Sequence, residues 1–311
     1  MPFSFTSTIY NSNHIVQDGG MDNAVYSARD ITHTYNRIQD CIVTRDIIRT
    51  YSTNARDIRE VAIEHIDRGG VRSILDLGCG YGFFIEKLKG AVDPRTEITG
   101  VDIVGACREQ YMRTIASLGC GGDFIASGAD IVGVMDDASV DLVICCYSLY
   151  FFPQIVSDIY RVLRNGGVLL AITHSENTLR EAIAFIRACM KTIGLAPPRK
   201  TALSRLFMEF SLENGTALLG RFFDDIEVIP YANSMVFDRD SVDDCVCYIE
   251  KKRLLMFKEV FDSHPEKVTD MEVCIATRVR ERAQAQGRIV LNKNDGIFIC
   301  RKSGKLRRIR H

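Results

Sequence analysis

A chain of 311 residues has room for one large domain or two small ones with an ample core. Its 39 basic and 40 acidic side chains leave a net charge of −1, which excludes a general attraction to polyanions. The 11 cysteines are scattered, with no Cys-x-x-Cys pair, which argues against a zinc knuckle or a thioredoxin-type motif and favours free thiols in a reducing compartment. No basic-then-apolar leader opens the sequence, and the longest apolar run, Leu142 to Phe152, is about half of a bilayer span. The expectation is a soluble cytoplasmic protein without membrane contact.

Residues 1–23 are polar and aperiodic, a loose segment or a cover. From Ala24 to Ile66 apolar residues recur at helical spacing and predict two or three helices, closed by Gly69-Gly70. An α/β rhythm follows. Strands are predicted at Ser73 to Leu77, Glu97 to Val101, around Phe124 to Ser127, Val140 to Cys146 and Val168 to Thr173. Helices are predicted at Phe83 to Lys89, Gly105 to Leu118 and Ile155 to Leu163. The fourth strand is nearly continuous in apolar residues, as a central parallel strand is. Beyond it, residues 176–192, 204–219 and 241–285 carry helical spacing, and Ile226 to Tyr231 and Ser234 to Phe237 look like strands. Arg288 to Leu291 and Gly296 to Arg301 are β-like runs whose link, Asn292 to Asp295, predicts a hairpin. A basic tail closes the chain; such a run is ordinarily a solvated terminus.

The most informative stretch is Ile74-Leu-Asp-Leu-Gly-Cys-Gly-Tyr-Gly82, an apolar run that breaks into glycines at alternate positions. Gly78, Gly80 and Gly82 lack the Cβ atoms that block a ligand from the backbone. About twenty residues on, a second strand ends in Asp102, a carboxylate able to accept both hydroxyl protons of a ribose. A dinucleotide fingerprint has its third glycine one residue later, so the spacing does not specify a pyrophosphate.

The pattern Asp-x-Gly-x-Gly-x-Gly resembles the first motif of class I S-adenosylmethionine (SAM) methyltransferases. Further segments resemble small-molecule members of the ubiquinone-biosynthesis type: Asp141 to Ile144 their fourth strand, Tyr147 to Pro153 the loop after it, and Ile159 to Leu169 their helix-to-strand turn, with Asn165 at the usual proline. The resemblance covers roughly Tyr51 to Leu170. It implies a Rossmann-like, doubly wound, mostly parallel seven-stranded α/β sheet with a helical N-terminal extension and a helical insertion after strand five. The organisation expected from it is an N-terminal helical lid at 1–66, a SAM-binding core at 67–175, a substrate-side insertion at 176–285, and a terminal strand or hairpin with its basic tail at 286–311.

The same resemblance implies a cofactor map for S-adenosylmethionine and its product S-adenosylhomocysteine. Asp76, Gly78, Cys79 and Gly80 should flank the methionine portion, Asp102 the ribose and Ile103 the adenine. Ala129 and Asp130 are alternatives for the adenine amine, Cys146 should offer its backbone carbonyl, and Tyr51 should lie near the methionine end. No metal is implied. Methyl transfer needs a base only where the nucleophile is protonated. Tyr147 and Tyr150 either touch substrate or form a hydrophobic lid; His174, after strand five, is a candidate base or an exposed loop histidine. The expected function is methyl transfer to a small-molecule acceptor, with an oligomer open. The alternatives are a protein or RNA methyltransferase, or a non-catalytic SAM-binding protein. Nucleic acid is disfavoured by the balanced charge.

Overall fold

The computed structural model describes residues 25–303, so the expectations for residues 1–23 and for the basic tail fall outside the described residues. In chain order the elements are α1 (Ala28–Tyr35), α2 (Ile38–Tyr51), α3 (Ile58–Glu64), β1 (Ser73–Leu77), β2 (Glu97–Asp102), α4 (Arg108–Leu118), β3 (Gly121–Ala126), β4 (Val140–Cys146), α5 (Val156–Val162) and β5 (Leu163–His174). They continue as α6 (Arg180–Thr192), α7 (Ala202–Glu209), α8 (Gly215–Leu219), β6 (Asp225–Tyr231), β7 (Ser234–Asp238), α9 (Val242–Lys251), α10 (Arg253–Met256), α11 (Lys258–Ser263), α12 (Val268–Gln286), β8 (Arg288–Asn292) and β9 (Asp295–Arg301).

Seven strands form one sheet in the order β3-β2-β1-β4-β5-β9-β6. Every neighbouring pair from β3 to β5 is parallel, and β9 runs antiparallel between β5 and β6. The period of two along the strands sorts their side chains into two cores. Leu75, Leu77, Val143, Cys145, Leu169, Ala171 and Phe298 point to one, shared with α5, α6 and α7. Ile74, Ile98, Leu142, Ile144, Leu170, Ile172 and Ile297 point to the other, shared with α3 and α4. Order reverses between β1 and β4, where open α/β sheets bind ligands outside the strand carboxyl ends.

Local chemistry sets several boundaries. Ser27 and Asp30 form a reciprocal capping box on α1, and Gly119 and Gly287 end α4 and α12 in the left-handed conformation that favours glycine. The helix expected after the glycines is a single 3-10 turn, Ile85–Leu88. β5 begins at Leu163, earlier than expected, and its register against β4 shifts between Val140 and Leu142, which absorbs Asn165-Gly166-Gly167 into the strand.

The expected terminal hairpin does not form. β9 is buried on both faces and belongs inside the large sheet, whereas β8 alternates buried with exposed and pairs with β7 in a separate two-stranded sheet. The chain crosses between the sheets twice, at Ala232-Asn233 and at Lys293-Asn294. The crossings hold each other: the Lys293 N–H donates to the Asn233 carbonyl and the Asn233 N–H to Asn294 Oδ1, both at 3.0 Å. β6 lies in the large sheet, so the accessory helices enter as two insertions, one before β6 and one after it. Among the described residues no helix is long and apolar enough to cross a membrane. All eleven cysteines are free.

Candidate active site

The carboxyl end of β1 turns sharply at Gly78, whose φ is +67°, and its N–H donates to the Val101 carbonyl at 2.8 Å. A Cβ at Gly78 would lie 2.4 Å from the Ser148 Cβ, so the residue lets the loop after β4 close onto the turn. The Ser148 hydroxyl completes that junction by donating to the Leu77 carbonyl at 2.6 Å. Gly80, at φ +50°, differs: a Cβ there would meet nothing within 4 Å. The backbone at Gly80 thus faces open space.

Beside that space stands Asp102. Its Oδ2 accepts from the Gly80 N–H and its Oδ1 from the Val104 N–H, both at 2.8 Å. Burial raises the Asp102 carboxyl, and these two backbone donors oppose the rise. Each oxygen keeps a further lone pair, which suits a vicinal diol. Ile103 is half-buried next to it. The Ser127 N–H donates to the Asp102 carbonyl at 3.2 Å, bringing the segment with buried Ala129 and exposed Asp130 alongside. An open cradle, a carboxylate and an apolar flank fit an adenosyl group carrying a methionine tail.

Three residues expected at the cofactor have side chains engaged by other parts of the protein. Asp76 is only 1% exposed and accepts from the Tyr111 hydroxyl at 3.2 Å. The alternation along β1 aims it into the core beneath α4, and burial pushes its carboxyl up to about 7. It supports the turn from below. The Cys79 side chain is buried, with its sulfur against Gly100, leaving only backbone for a ligand. The Tyr51 hydroxyl donates to Asp244 and its ring lies 4.4 Å from that of Phe237, which ties it to the accessory unit. The first helices do reach the turn at another point: the Tyr81 hydroxyl donates to the Tyr35 carbonyl at 2.9 Å. Cys146 ends β4 half-buried, and burial pushes its thiol up.

Across the β1/β4 boundary the residues after β4 and β5 converge. Tyr147, in the left-handed region at φ +57°, is a strained position of the kind that clusters at functional sites. Its ring stacks on His174 at 4.7 Å, Tyr150 stacks on the same imidazole at 5.7 Å, and Phe207 from α7 lies 4.6 Å from it. Beneath them Asp295, 2% exposed, accepts from three donors: the Tyr147 hydroxyl at 2.7 Å, His174 Nδ1 at 2.7 Å and Lys293 Nζ at 2.6 Å. His174 and Asp295 are paired across β5 and β9, which puts them side by side.

Burial, then the Lys293 cation, lowers the His174 pKa; Asp295 opposes both. Burial alone raises the Asp295 carboxyl, but Lys293 and His174 outweigh it and hold it below its ordinary value. The imidazole is therefore neutral, and Asp295 fixes the proton on Nδ1, leaving Nε2 as the basic nitrogen. Burial pushes the Tyr147 and Tyr150 phenols far up, so they are hydrogen-bond donors and not bases. Asp295 and Lys293 have the local sequence of a hairpin loop; the strand pairing is what brings them under His174.

Residues 74–167 match the model of a family described as "Methyltransferase domain". A curated relative, a malonyl-[acyl-carrier protein] O-methyltransferase of Paenibacillus sp. (strain JDR-2), is 30% identical over 156 residues, 47% of this chain and 55% of the relative. The chain thus spans about half the length of that relative. The YcgJ protein of Bacillus subtilis, a solved structure, superposes with a TM-score of 0.52 at 16% identity, over 79% of this chain and 98% of its own, and so shares the fold. Over residues 74–167 the chain is thus similar to the methyltransferase-domain family.

Proposed function

We propose that the protein transfers a methyl group from S-adenosylmethionine to a small-molecule acceptor, with His174 as the base that takes the acceptor's proton. The observation that carries this reading is the placement of a neutral, carboxylate-held imidazole one loop away from the glycine turn. Tyr147 stacks on His174 while its neighbour Ser148 packs on Gly78.

When bound, the sulfonium cofactor supplies an activated methyl carbon. The chain's own groups do the rest. Gly80 and Asp102 hold and orient the nucleoside, and Ile103 and the 127–130 segment flank its base. His174 Nε2 accepts a proton from a hydroxyl acceptor, and Asp295, itself held by Lys293, keeps the ring oriented throughout. Tyr150 donates a hydrogen bond that orients the acceptor; Tyr147, whose proton is held by Asp295, offers its ring; and Phe151 and Phe207 exclude water. Oxygen as the acceptor atom agrees with the O-methyltransferase name of the curated relative. The N-terminal helices act as a lid, a role supported by the Tyr81–Tyr35 contact and by Arg45 over the Phe83 ring at 4.5 Å. Eleven free thiols suit a cytoplasmic setting.

Calorimetry with S-adenosylhomocysteine tests the reading. The parent binds, and Asp102→Ala loses roughly 1–3 kcal/mol of affinity, the cost of leaving buried hydroxyls unmatched. Equal affinity in the two proteins rejects it.

A further inference from the structure

His174, Asp295 and Tyr231 lie side by side in one row across β5, β9 and β6. At that end of the sheet opens a cleft of about 340 Å³, in the lower part of the range that ligand sites occupy. Its apolar lining is Leu212, Pro230, Tyr231 and Ala232, and its polar lining is Ser175, Asn177, Arg180, Glu213, Asn292 and Asn294. Asp295 also borders it, so the cleft shares one residue with the site above. His174 and the rings packed on it do not line it.

The acceptors of that lining are already engaged, and several donors are not. Glu213 takes the Ser175 hydroxyl on Oε1 at 2.5 Å and the Glu176 N–H on Oε2 at 2.9 Å. Asn292 Oδ1 accepts from the Asn294 N–H at 3.1 Å, and Asn294 Oδ1 from the Asn233 N–H at 3.0 Å. Asp295 holds its three donors on the far side. Among the described residues, by contrast, the side-chain N–H groups of Asn292 and Asn294 meet no acceptor, and the Asn177 amide is free at both ends. Arg180, the one cation of the lining, engages Glu181 through Nε at 2.8 Å and keeps both Nη groups. The segment that presents it is strained: Leu179 sits at φ +59°, its N–H donating to the Asn292 carbonyl at 2.8 Å. A surplus of donors around a guanidinium fork selects a ligand that brings acceptors and negative charge.

We propose that this cleft is a binding site for a small organic oxyanion. Its oxygens are held by Arg180 and the side-chain amides of Asn177, Asn292 and Asn294, and its apolar body lies against Leu212, Pro230 and Tyr231. A carboxylate and a phosphate monoester share that chemistry. The site stands apart from the methyl-transfer reading, since none of these donors is assigned to the cofactor or the acceptor.

Calorimetry on the full chain tests it with 3-phenylpropionate against 3-phenylpropionamide, and with phenyl phosphate against phenol. The parent binds at least one anion about tenfold or more tightly than its uncharged counterpart, the worth of a charge-assisted hydrogen bond. Which anion is preferred separates a carboxylate ligand from a phosphate ester. Arg180→Gln erases the preference, and Asn177→Leu weakens the preferred anion; both side chains are exposed, so the fold tolerates the changes. Amide spectra give an independent readout, with shifts on titration over residues 175–180 and 292–295. A parent that binds anions and uncharged counterparts alike overturns the proposal. So does displacement of the anion by S-adenosylhomocysteine, which assigns it to the cofactor's carboxylate position. Binding that is lost in Phe207→Ala and intact in Arg180→Gln overturns it as well, because the anion then sits among the rings around His174.

Discussion

The two halves of the site are built from different materials. On the proposed cofactor side, β1, its glycine turn and β2 supply the cradle within about thirty residues of chain, largely through backbone: two N–H groups on Asp102 and a bare Gly80. On the proposed acceptor side the groups come from four distant segments. Tyr147 and Asp295 are 148 residues apart, His174 and Asp295 are 121 apart, and Phe207 enters from a separate helix. A site made of backbone is dictated by where chain can turn, whereas a site made of side chains depends on which strands become neighbours. Substitutions should therefore damage the first side by sterics and the second by electrostatics.

The largest effect is expected at Asp295. Asp295→Asn leaves the Lys293 ammonium buried without its anion, which costs about 3–5 kcal/mol of stability. It also frees the His174 tautomer, and turnover falls by roughly 10²–10³-fold. Adding Lys293→Met recovers much of the stability in urea unfolding but none of the turnover, which separates folding from chemistry. Imidazole ¹⁵N spectra give an independent readout: Nδ1 carries the proton in the parent and loses its preference in the variants. The pH signs follow from the shifts. His174 titrates below its ordinary 6.5, so its contribution to stability is complete above that pH and is lost as pH falls below it, and turnover declines along the same limb. Asp295, held below 3.8, keeps its contribution above that value and loses it as pH falls through the lower folded value. Equal turnover in parent and Asp295→Asn removes the base from the acceptor side.

The cofactor side yields a smaller effect and a sharper contrast. Gly78→Ala pushes a methyl into Ser148 at a positive φ and costs about 2–4 kcal/mol of stability. Gly80→Ala has space for its methyl and loses only about 1 kcal/mol for the left-handed backbone. The methyl nonetheless stands where the proposed cofactor approaches, so affinity for S-adenosylhomocysteine is expected to drop far more in Gly80→Ala than stability does. Unfolding curves and calorimetry on both variants check the pair; similar losses in both measurements for both variants erase the distinction.

The same division explains what could be read from the residues alone. Gly78, Gly80 and Asp102 were legible because a strand, a turn and the next strand are consecutive in the chain, and the parallel sheet followed from its rhythm of apolar runs. His174 was found only as a histidine near the end of a strand. Asp295 and Lys293 looked like turn residues, because their local sequence is what a hairpin loop contains. Nothing nearby indicates that β9 enters the large sheet while β8 leaves it. Tyr51 is the converse case: it closes an amphipathic helix, and the partners that hold it, Phe237 and Asp244, lie almost two hundred residues away.

Asp76 offers the finest test, because it belongs to the glycine motif yet behaves like the acceptor side. Alternation along β1 buries it under α4, where Tyr111 donates to it at 3.2 Å, and Gly100 makes room for that ring. Burial, partly relieved by Tyr111 and reinforced by Asp102, raises its carboxyl from the ordinary 3.8 to about 7. A carboxyl raised on folding stabilises the protein below its unfolded value, and that contribution is lost as pH rises towards 7. Between about pH 5 and about pH 8 the loss is on the order of 2 kcal/mol. Asn cannot ionise and keeps an oxygen for Tyr111, so Asp76→Asn gains by that amount relative to the parent over the same interval. Urea unfolding of both proteins at the two pH values measures the change, and an unchanged difference between them means that Asp76 is already ionised at the lower pH.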